Sequence, residues 1–151
     1  MHRKENEITE PNKIIEIINR AQICRMAMCD GDSPYIVPVC FGFKDNQIYI
    51  HSSSRGKKID LLNKNNSVCV EFDIDDEMVK TKKACKWGFK YKSVIGYGTA
   101  HFIYDYDQKI EALDIIMNHY AKGHYTYERS QVEGCLIIRI DLKKLTGKQS
   151  L

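Results

Sequence analysis

The chain has 151 residues, with 23 basic and 20 acidic side chains that give a net charge of +3. That length predicts one domain with its own core, and so mild a charge does not by itself indicate a nucleic-acid-binding protein. Apolar residues make up 43% of the chain. No apolar run is long enough to span a bilayer, so we expect no membrane segment.

The start of the chain and its cysteines predict the compartment. Residues 1–7 are polar and lack the apolar core of a secretion signal, so we expect a cytoplasmic protein. In that setting the six cysteines are expected to be free thiols rather than a disulfide framework. No two of them have the C-x-x-C spacing of zinc and redox sites, so we expect no bound metal.

Residues 9–43 predict one helix and two strands. The helix begins at Pro11, whose missing N–H costs little in a first turn. Its apolar stripe has helical spacing and is formed by Ile14, Ile15, Ile18 and Ala21. Strands are expected over residues 23–29 and 35–43. Because Pro38 cannot donate to a neighbouring strand, the second strand should have an edge, a bulge or a break there, with backbone groups free to face a ligand.

A phosphate-binding turn is the first functional candidate. A third strand over residues 48–51 runs into a polar turn and then into an amphipathic helix from about Lys57. The turn gathers hydroxyls, a glycine and three cations beside the helix start, in the sequence Ser52-Ser53-Ser54-Arg55-Gly56-Lys57-Lys58. A helix start offers unpaired N–H groups and partial positive charge, which suit a phosphate. The alternative is a solvated helix start with a serine cap and surface lysines.

The second half of the chain predicts three more strands and a third helix. The strands fall over residues 68–74, 91–104 and 136–142. An acidic loop is expected over residues 73–77, and Gly96 and Gly98 indicate a bulge or a close backbone approach. The apolar stripe of the helix is formed by Ile110, Leu113, Ile116, Met117 and Tyr120.

These elements predict a mainly β fold. Six strands joined mostly by short turns argue against a parallel sheet with crossover helices. The three helices fall at the N-terminus, after the third strand and after the fifth strand. We therefore predict a six-stranded, mostly antiparallel barrel with helices over its openings, in a single domain over residues 1–151.

Four motifs occur in a fixed order over about residues 9–142. They are Cys24-Arg25-Met26-Ala27-Met28; Pro34-Tyr35-Ile36-Val37-Pro38-Val39 with Phe41-Gly42-Phe43; Tyr49-Ile50-His51-Ser52 with Gly56-Lys57-Lys58; and Trp87 with Tyr91-Lys92-Ser93-Val94-Ile95-Gly96-Tyr97-Gly98. In that order they resemble the FMN-binding split-barrel proteins related to pyridoxamine 5′-phosphate oxidase, and most of all the Nim-type 5-nitroimidazole-resistance branch. The chain departs from that pattern at Cys40, where the family often has asparagine.

The resemblance implies a split barrel that forms a homodimer with FMN at the subunit interface. It implies that the third strand and the following helix hold the phosphate through His51, Ser52, Lys57 and Lys58. It also implies that the backbone on either side of Pro38 meets the flavin edge, through Val37 and Val39. Further residues near the cofactor, from the last motif, are Ser93 and Val94. The histidine of the pattern, here His51, is placed close to both flavin and substrate.

Several of these residues could have a different role from the one that the resemblance implies. His51 could donate a proton, since an unperturbed pKa of about 6.5 suits that role, or it could be a hydrogen-bonded core residue. Adjacent helical side chains point about 100° apart, so one of Lys57 and Lys58 is expected to touch the phosphate directly. Trp87 could cover the flavin ring or anchor an interface.

The leading hypothesis is an FMN-dependent oxidoreductase. Electrons would pass from NADH or NADPH through flavin to a small electron-poor substrate such as a nitroaromatic ring, with no nucleic acid or membrane as partner. The alternative is a non-catalytic flavin- or haem-binding protein that stores or senses its ligand. A third possibility is a barrel that binds single-stranded nucleic acid, which the placement of most aromatic residues inside alternating strands disfavours.

Overall fold

Alternating apolar residues build eight antiparallel strands in the part of the chain that the structure describes. The structure is a computed structural model that describes residues 4–150, so residues 1–3, part of the polar start, and Leu151 lie outside it. The strands are β1 (Glu7–Ile8), β2 (Cys24–Asp30), β3 (Ser33–Val39), β4 (Gly42–Lys44), β5 (Gln47–Ser53), β6 (Ser67–Val79), β7 (Gly88–Ile103) and β8 (Cys135–Ser150).

Four α-helices lie between the strands of the described chain. They are α1 (Pro11–Arg20), α2 (Lys57–Lys64), α3 (Tyr106–Tyr120) and α4 (Arg129–Gly134). The first three are the predicted helices, and α4 was not predicted. Helix α3 is capped by Asp105, whose side chain accepts a 3.0 Å hydrogen bond from the Gln108 N–H. Over residues 4–150, none of the helices has the length and apolar content needed to cross a membrane.

The order of the strands explains why the barrel is split. The strands run in the order β3-β2-β6-β7-β8-β5-β4, and β1 pairs with β8. The two edge strands, β3 and β4, are joined by only Cys40 and Phe41, which we call the crossover. The crossover therefore connects the two edges of the sheet through the chain, without hydrogen bonds between strands. An opening remains there, with β3 on one side and β4 and β5 on the other. This confirms the predicted antiparallel split barrel.

The predicted count of six strands is wrong, because the single strand expected over residues 35–43 is two strands. The Phe41 side chain is fully buried and its ring centroid lies 5.0 Å from that of Phe72. The Phe41 N–H donates to the Tyr120 hydroxyl at 3.0 Å instead of to a strand. The break thus falls just after Pro38, and the short strand β1 makes the eighth.

The acidic loop expected over residues 73–77 is also wrong, because this segment continues β6. The register of β6 against β7 shifts at a bulge between Ile74 and Glu77, where Asp75 has a φ of 60°. Nearby cations offset the negative charge: Arg20 and Lys92 pair with Asp75. Local charge predicted a loop, but cations from distant parts of the chain allow a strand.

Tight backbone approach at Gly98 is confirmed. The register of β7 against β8 shifts between Tyr97 and Gly98. A Cβ atom on Gly98 would lie 2.5 Å from the backbone oxygen of Asp141, closer than real Cβ atoms come to any neighbour. Only glycine therefore allows the two longest strands to stay paired through the bulge.

The core has one main cluster inside the barrel and a smaller one beneath α3. On α1 the buried isoleucines are Ile14, Ile17 and Ile18, whereas Ile15, which was predicted to face the core, is 40% exposed. The smaller cluster packs α3 against the ends of β7 and β8 and consists of Ile103, Ala112, Ile116 and Ile137. Helix α3 therefore covers the barrel wall next to the end of β5.

Candidate functional site

The candidate site lies in the gap between the open edge of β3 and the segment that runs from the end of β5 into α2. The Lys57 ammonium lies 2.7 Å from the Asp30 carboxylate at the β2–β3 turn. The same ammonium sits 4.8 Å from the centroid of the Tyr35 ring on β3. The start of α2 is therefore held against the β2–β3 hairpin, and β3 borders the predicted phosphate turn.

The last residues of strand β5 form the polar end of this gap. Its last residues pair with the start of β8, so His51 lies opposite Ile137 and Ser52 opposite Leu136. His51 is exposed and its side chain makes no hydrogen bond within the described residues. The turn that follows is ordered by the Ser53 hydroxyl, which accepts a 3.3 Å hydrogen bond from the Arg55 N–H. His51 thus lies near the end of β5, beside the polar turn, with its side chain exposed.

The helix start is shaped by Gly56. This residue precedes α2 with a φ of 122°, a conformation that glycine adopts far more easily than other residues. A Cβ atom there would meet nothing within 4 Å, so the space beside the helix start is open. Within residues 4–150 no side chain accepts a hydrogen bond from the first N–H groups of α2, because the capping position is a glycine.

The two lysines of α2 differ in their surroundings. The Asp30 side chain raises the pKa of Lys57 above its ordinary value through a hydrogen bond and charge attraction. Burial lowers the pKa of Lys58, whose side chain is half-buried. Among the described residues Lys58 has no ion-pair or hydrogen-bond partner. A half-buried cation without a partner favours binding an anion, because an anion would offset the cost of its desolvation.

The predicted flavin-edge residues lie on the opposite side of the gap. Pro38 is exposed on the edge strand β3 and pairs with Arg25 of β2. Val37 and Val39 are half-buried and pack their side chains on the main core. Every second backbone group of an edge strand points away from its neighbour, so this stretch offers unpaired groups to the gap.

The remaining predicted residues lie elsewhere. Ile103 and His51 both pair with Ile137, so the end of β7 is level with His51. Along β7, Ser93 lies about 33 Å from the level of His51, but the registers of β3, β2, β6 and β7 put it near the level of Val39, three strands away. The Trp87 ring is half-exposed, with its Nε1–H donating to the Thr81 carbonyl oxygen at 2.8 Å. The Trp87 side chain is therefore held to the segment between β6 and β7.

Ser93 and Val94 point in opposite directions. Val94 is fully buried in the main core, so its side chain does not reach a ligand outside the barrel, although its backbone could. Ser93 is on the opposite face of β7, which we call the outer face of the sheet. Ser93 pairs with Asp73 of β6, so it shares that face with residues of the neighbouring strand.

The outer face of β3, β2, β6 and β7 carries an apolar row beside a charged row, in which Arg25 pairs with Glu71. One row of residues runs straight across it, since Ile36 pairs with Ala27, Ala27 with Cys69, and Cys69 with Tyr97. Ile36 is 59% exposed and Tyr97 is 51% exposed. Further exposed apolar side chains on β7 are Ile95 and Phe89, and the exposed Trp87 comes just before the strand. An apolar surface of this extent is typical of a contact with another molecule.

Two residues of α3 were missed as contributors to the site. Tyr120 was assigned to an apolar stripe, yet its hydroxyl contacts the crossover. Lys109 is buried, and its ammonium donates to the carbonyl oxygen of Cys135 at 2.6 Å, where β8 begins opposite Ser53. A tyrosine hydroxyl near the end of an amphipathic helix is the one signal that could have found Tyr120.

Comparisons with known proteins agree with this geometry. A family model described as pyridoxamine 5′-phosphate oxidase matches residues 10–149. A candidate 5-nitroimidazole antibiotic resistance protein from Bacteroides thetaiotaomicron is 33% identical, with 95% of this chain and 86% of that chain covered and a TM-score of 0.85. No curated protein sequence matches the chain.

More distant structures share the fold. Flavocytochrome Anf3 from Azotobacter vinelandii is 17% identical, with 97% of this chain and 70% of that chain covered and a TM-score of 0.85. The FAD and heme binding protein from Mycobacterium smegmatis is 18% identical, with 96% and 73% covered and a TM-score of 0.86. At these identities the likeness shows the fold alone. The match over residues 10–149 covers nearly all of the chain, which therefore belongs to the pyridoxamine 5′-phosphate oxidase family.

Proposed function

We propose that the protein binds FMN in the gap and passes electrons from NADH or NADPH to a small electron-poor substrate such as a 5-nitroimidazole. The observation that carries this proposal is Lys58 at the start of α2, a half-buried lysine with no ion-pair or hydrogen-bond partner among the described residues. When bound, FMN would supply the electron transfer. Its substrate class is inferred from the Bacteroides relative and from the Nim-type motifs.

The phosphate end of the gap fits an anion. Lys58 would pair with the phosphate directly, while Lys57, already paired with Asp30, would add charge at longer range. Ser52 and the uncapped N–H groups of α2 would donate hydrogen bonds, and the open space beside Gly56 allows close approach of the ligand to the backbone. We therefore expect Lys58, and not Lys57, to contact the phosphate directly.

The ring end of the gap would be built by β3 and His51. Unpaired backbone groups around Pro38 would meet the flavin edge, and the half-buried side chains of Val37 and Val39 would exclude water beneath it. His51 would donate a proton to the substrate, because reduction of a nitro group consumes protons as well as electrons. Its exposed position at the end of β5 leaves it accessible for this role.

A second copy of the chain would complete the site. The apolar outer face needs a covering surface, and two copies packed through it would bury its exposed side chains. Ser93 is on that face three strands away from β3, and Trp87 comes just before β7, so in such a dimer they would approach the gap of the partner. A homodimer thus unites residues that one chain keeps apart.

The cytoplasm is the proposed location. All six cysteines are free, and three of them, Cys29, Cys40 and Cys85, are exposed, which fits a reducing compartment.

The absorption spectrum of freshly purified protein tests the proposal first. We expect flavin bands, release of FMN on denaturation, and bleaching of the bands by NADH or NADPH, followed by their return when a 5-nitroimidazole is added. His51→Ala should keep FMN bound and slow only the return. Stable bands that no nicotinamide bleaches would instead favour a flavin-storing protein, and a Soret band would indicate haem. Colourless protein that cannot be loaded with FMN would contradict the proposal.

A further inference from the structure

The crossover between β3 and β4 has no partner strand of its own. Cys40 and Phe41 fall between the two edge strands, so the Phe41 N–H needs another acceptor. That acceptor is the Tyr120 hydroxyl, 3.0 Å away on the last turn of α3 and 79 residues later in the chain. The position of the crossover, and of Val39 just before it, therefore depends on a helix outside the gap.

The last turn of α3 fixes two chain segments at once. The Tyr120 hydroxyl donates to the Gln22 carbonyl oxygen at 2.8 Å, in the link between α1 and β2. The His119 Nε2 atom lies 2.7 Å from the Ala21 carbonyl oxygen in the same link. The His119 ring also packs on Phe41, with the ring centroids 4.2 Å apart. A single helix turn thus holds the crossover to the start of β2.

The Tyr120 hydroxyl remains neutral at ordinary pH. Burial raises its pKa to about 12, with a smaller rise from Cys40, while the hydrogen bond from the Phe41 N–H acts in the opposite direction. A neutral hydroxyl can accept from one partner and donate to another at the same time. Both bonds are therefore kept across the pH range in which a cytoplasmic enzyme works.

We propose that Tyr120 is a positioning residue for the flavin ring, because its hydroxyl holds the crossover that fixes the Val39 edge of the gap. This inference rests on the proposed flavin site. The phosphate would be held across the gap by Lys58, so loss of the hydroxyl should affect ring binding and leave the phosphate contact intact. The effect should therefore be equal for FMN and for riboflavin, which has the same ring and no phosphate.

The test compares wild type with Tyr120→Phe, which removes the hydroxyl and keeps the ring. In the flavin-free proteins, the Phe41 amide hydrogen should exchange at least about tenfold faster in the variant. The dissociation constants of FMN and of riboflavin, measured by quenching of flavin fluorescence, should both rise about tenfold, as expected for one lost hydrogen bond. The thermal unfolding midpoint checks that both proteins are folded at the temperature of measurement.

Tyr127→Phe is the matched control. Its hydroxyl donates to the Asp114 Oδ1 atom of the same helix at 2.8 Å, away from the crossover, so its loss should change neither dissociation constant. If Tyr120→Phe does not fold, His119→Gln removes the ring that packs on Phe41 while keeping a donor for Ala21. That variant should weaken binding of both flavins about threefold.

Three results separate this inference from the proposed function. Unchanged flavin affinity in a folded Tyr120→Phe protein would overturn the inference and leave the proposed function standing. Weaker binding of FMN alone would also overturn it, because the effect would then lie at the phosphate. Failure of wild type to bind either flavin would contradict the proposed function itself, and the inference with it.

Discussion

The Lys57 ammonium and the Asp30 carboxylate form a 2.7 Å ion pair that joins the start of α2 to the β2–β3 turn. This pair makes two neighbouring lysines unequal. The positive charge of Lys57 is already offset inside the chain, while Lys58 is half-buried and has no partner among the described residues. The gap therefore has one cation that gains most from an added anion.

Removing Lys58 should weaken FMN binding much more than removing Lys57. Lys58→Gln loses a charge-assisted hydrogen bond to the phosphate, worth about 1.5–3 kcal/mol, so the FMN dissociation constant should rise about 10- to 100-fold. Lys57→Gln should raise it about threefold or less, because this lysine is exposed and its charge is screened. Riboflavin affinity, which involves no phosphate, should be the same in both variants. A larger effect from Lys57→Gln would show that Lys57, and not Lys58, binds the phosphate.

FMN affinity should fall at alkaline pH because of Lys58. Burial lowers the pKa of this ammonium in the free protein, and a bound phosphate would raise it again. Binding therefore takes up a proton once the pH exceeds the lowered pKa of the free protein, and affinity falls from there up to the higher pKa of the complex. Titrations between about pH 8 and about pH 10 measure this fall.

Two controls isolate that pH dependence. Riboflavin has the same ring as FMN, so any change caused by titration of the ring affects both ligands. Riboflavin has no phosphate, so its affinity should not show the additional fall that comes from Lys58. Lys58→Arg should remove the fall, because a guanidinium stays charged throughout this range. Equal pH profiles for FMN and riboflavin in the wild type would rule out Lys58 as the phosphate ligand.

A charge on the outer face should separate the proposed dimer. Tyr97→Glu puts a carboxylate at the β7 end of the apolar row, where burial without a partner is costly. We expect sedimentation analysis to give a dimer for wild type and a monomer for the variant, with FMN affinity reduced about tenfold or more. Tyr104→Glu is the control, since Tyr104 is 72% exposed and lies beyond the end of β7. A monomeric wild type that binds FMN fully would contradict a shared site.

Gly98→Ala should destabilise the protein by about 2–3 kcal/mol. The new methyl group would lie 2.5 Å from the Asp141 backbone oxygen, and a backbone atom in a paired strand has little room to move. Urea unfolding of the two proteins measures the difference. Gly88→Ala, on the same strand with nothing within 4 Å of the new methyl group, should leave the free energy of unfolding nearly unchanged. Equal stability of both variants would show that β7 and β8 can separate locally at the bulge.

Lys109→Met should also be destabilising, by about 2–4 kcal/mol. The buried ammonium donates to three carbonyl oxygens at the end of α4, including Cys135 at 2.6 Å and Val132 at 3.2 Å. Methionine fills a similar volume but leaves these acceptors without a donor. Lys122→Met, at an exposed position just after α3, is expected to change the free energy of unfolding by less than about 0.5 kcal/mol.

The sequence by itself determined the antiparallel class, the first three helices and the position of the polar turn before α2. These features follow from hydrophobic period, turn residues and helix caps, which act between residues close in the chain. The same local signals identified Gly98 as a close approach and Pro38 as the site of an edge and a nearby break. The order of four short motifs was enough to identify the family.

Only the tertiary structure decided which helix faces are buried and which lysine is unpaired. On α3 the core receives Lys109, Ala112 and Ile116, a face offset from the predicted stripe, because three carbonyl oxygens of a later segment satisfy the ammonium. Lys57 and Lys58 look equivalent in sequence until Asp30, 27 positions earlier, pairs with one of them. Partners so far apart along the chain meet only in the folded protein, and their burial and charge decide what each side chain can do.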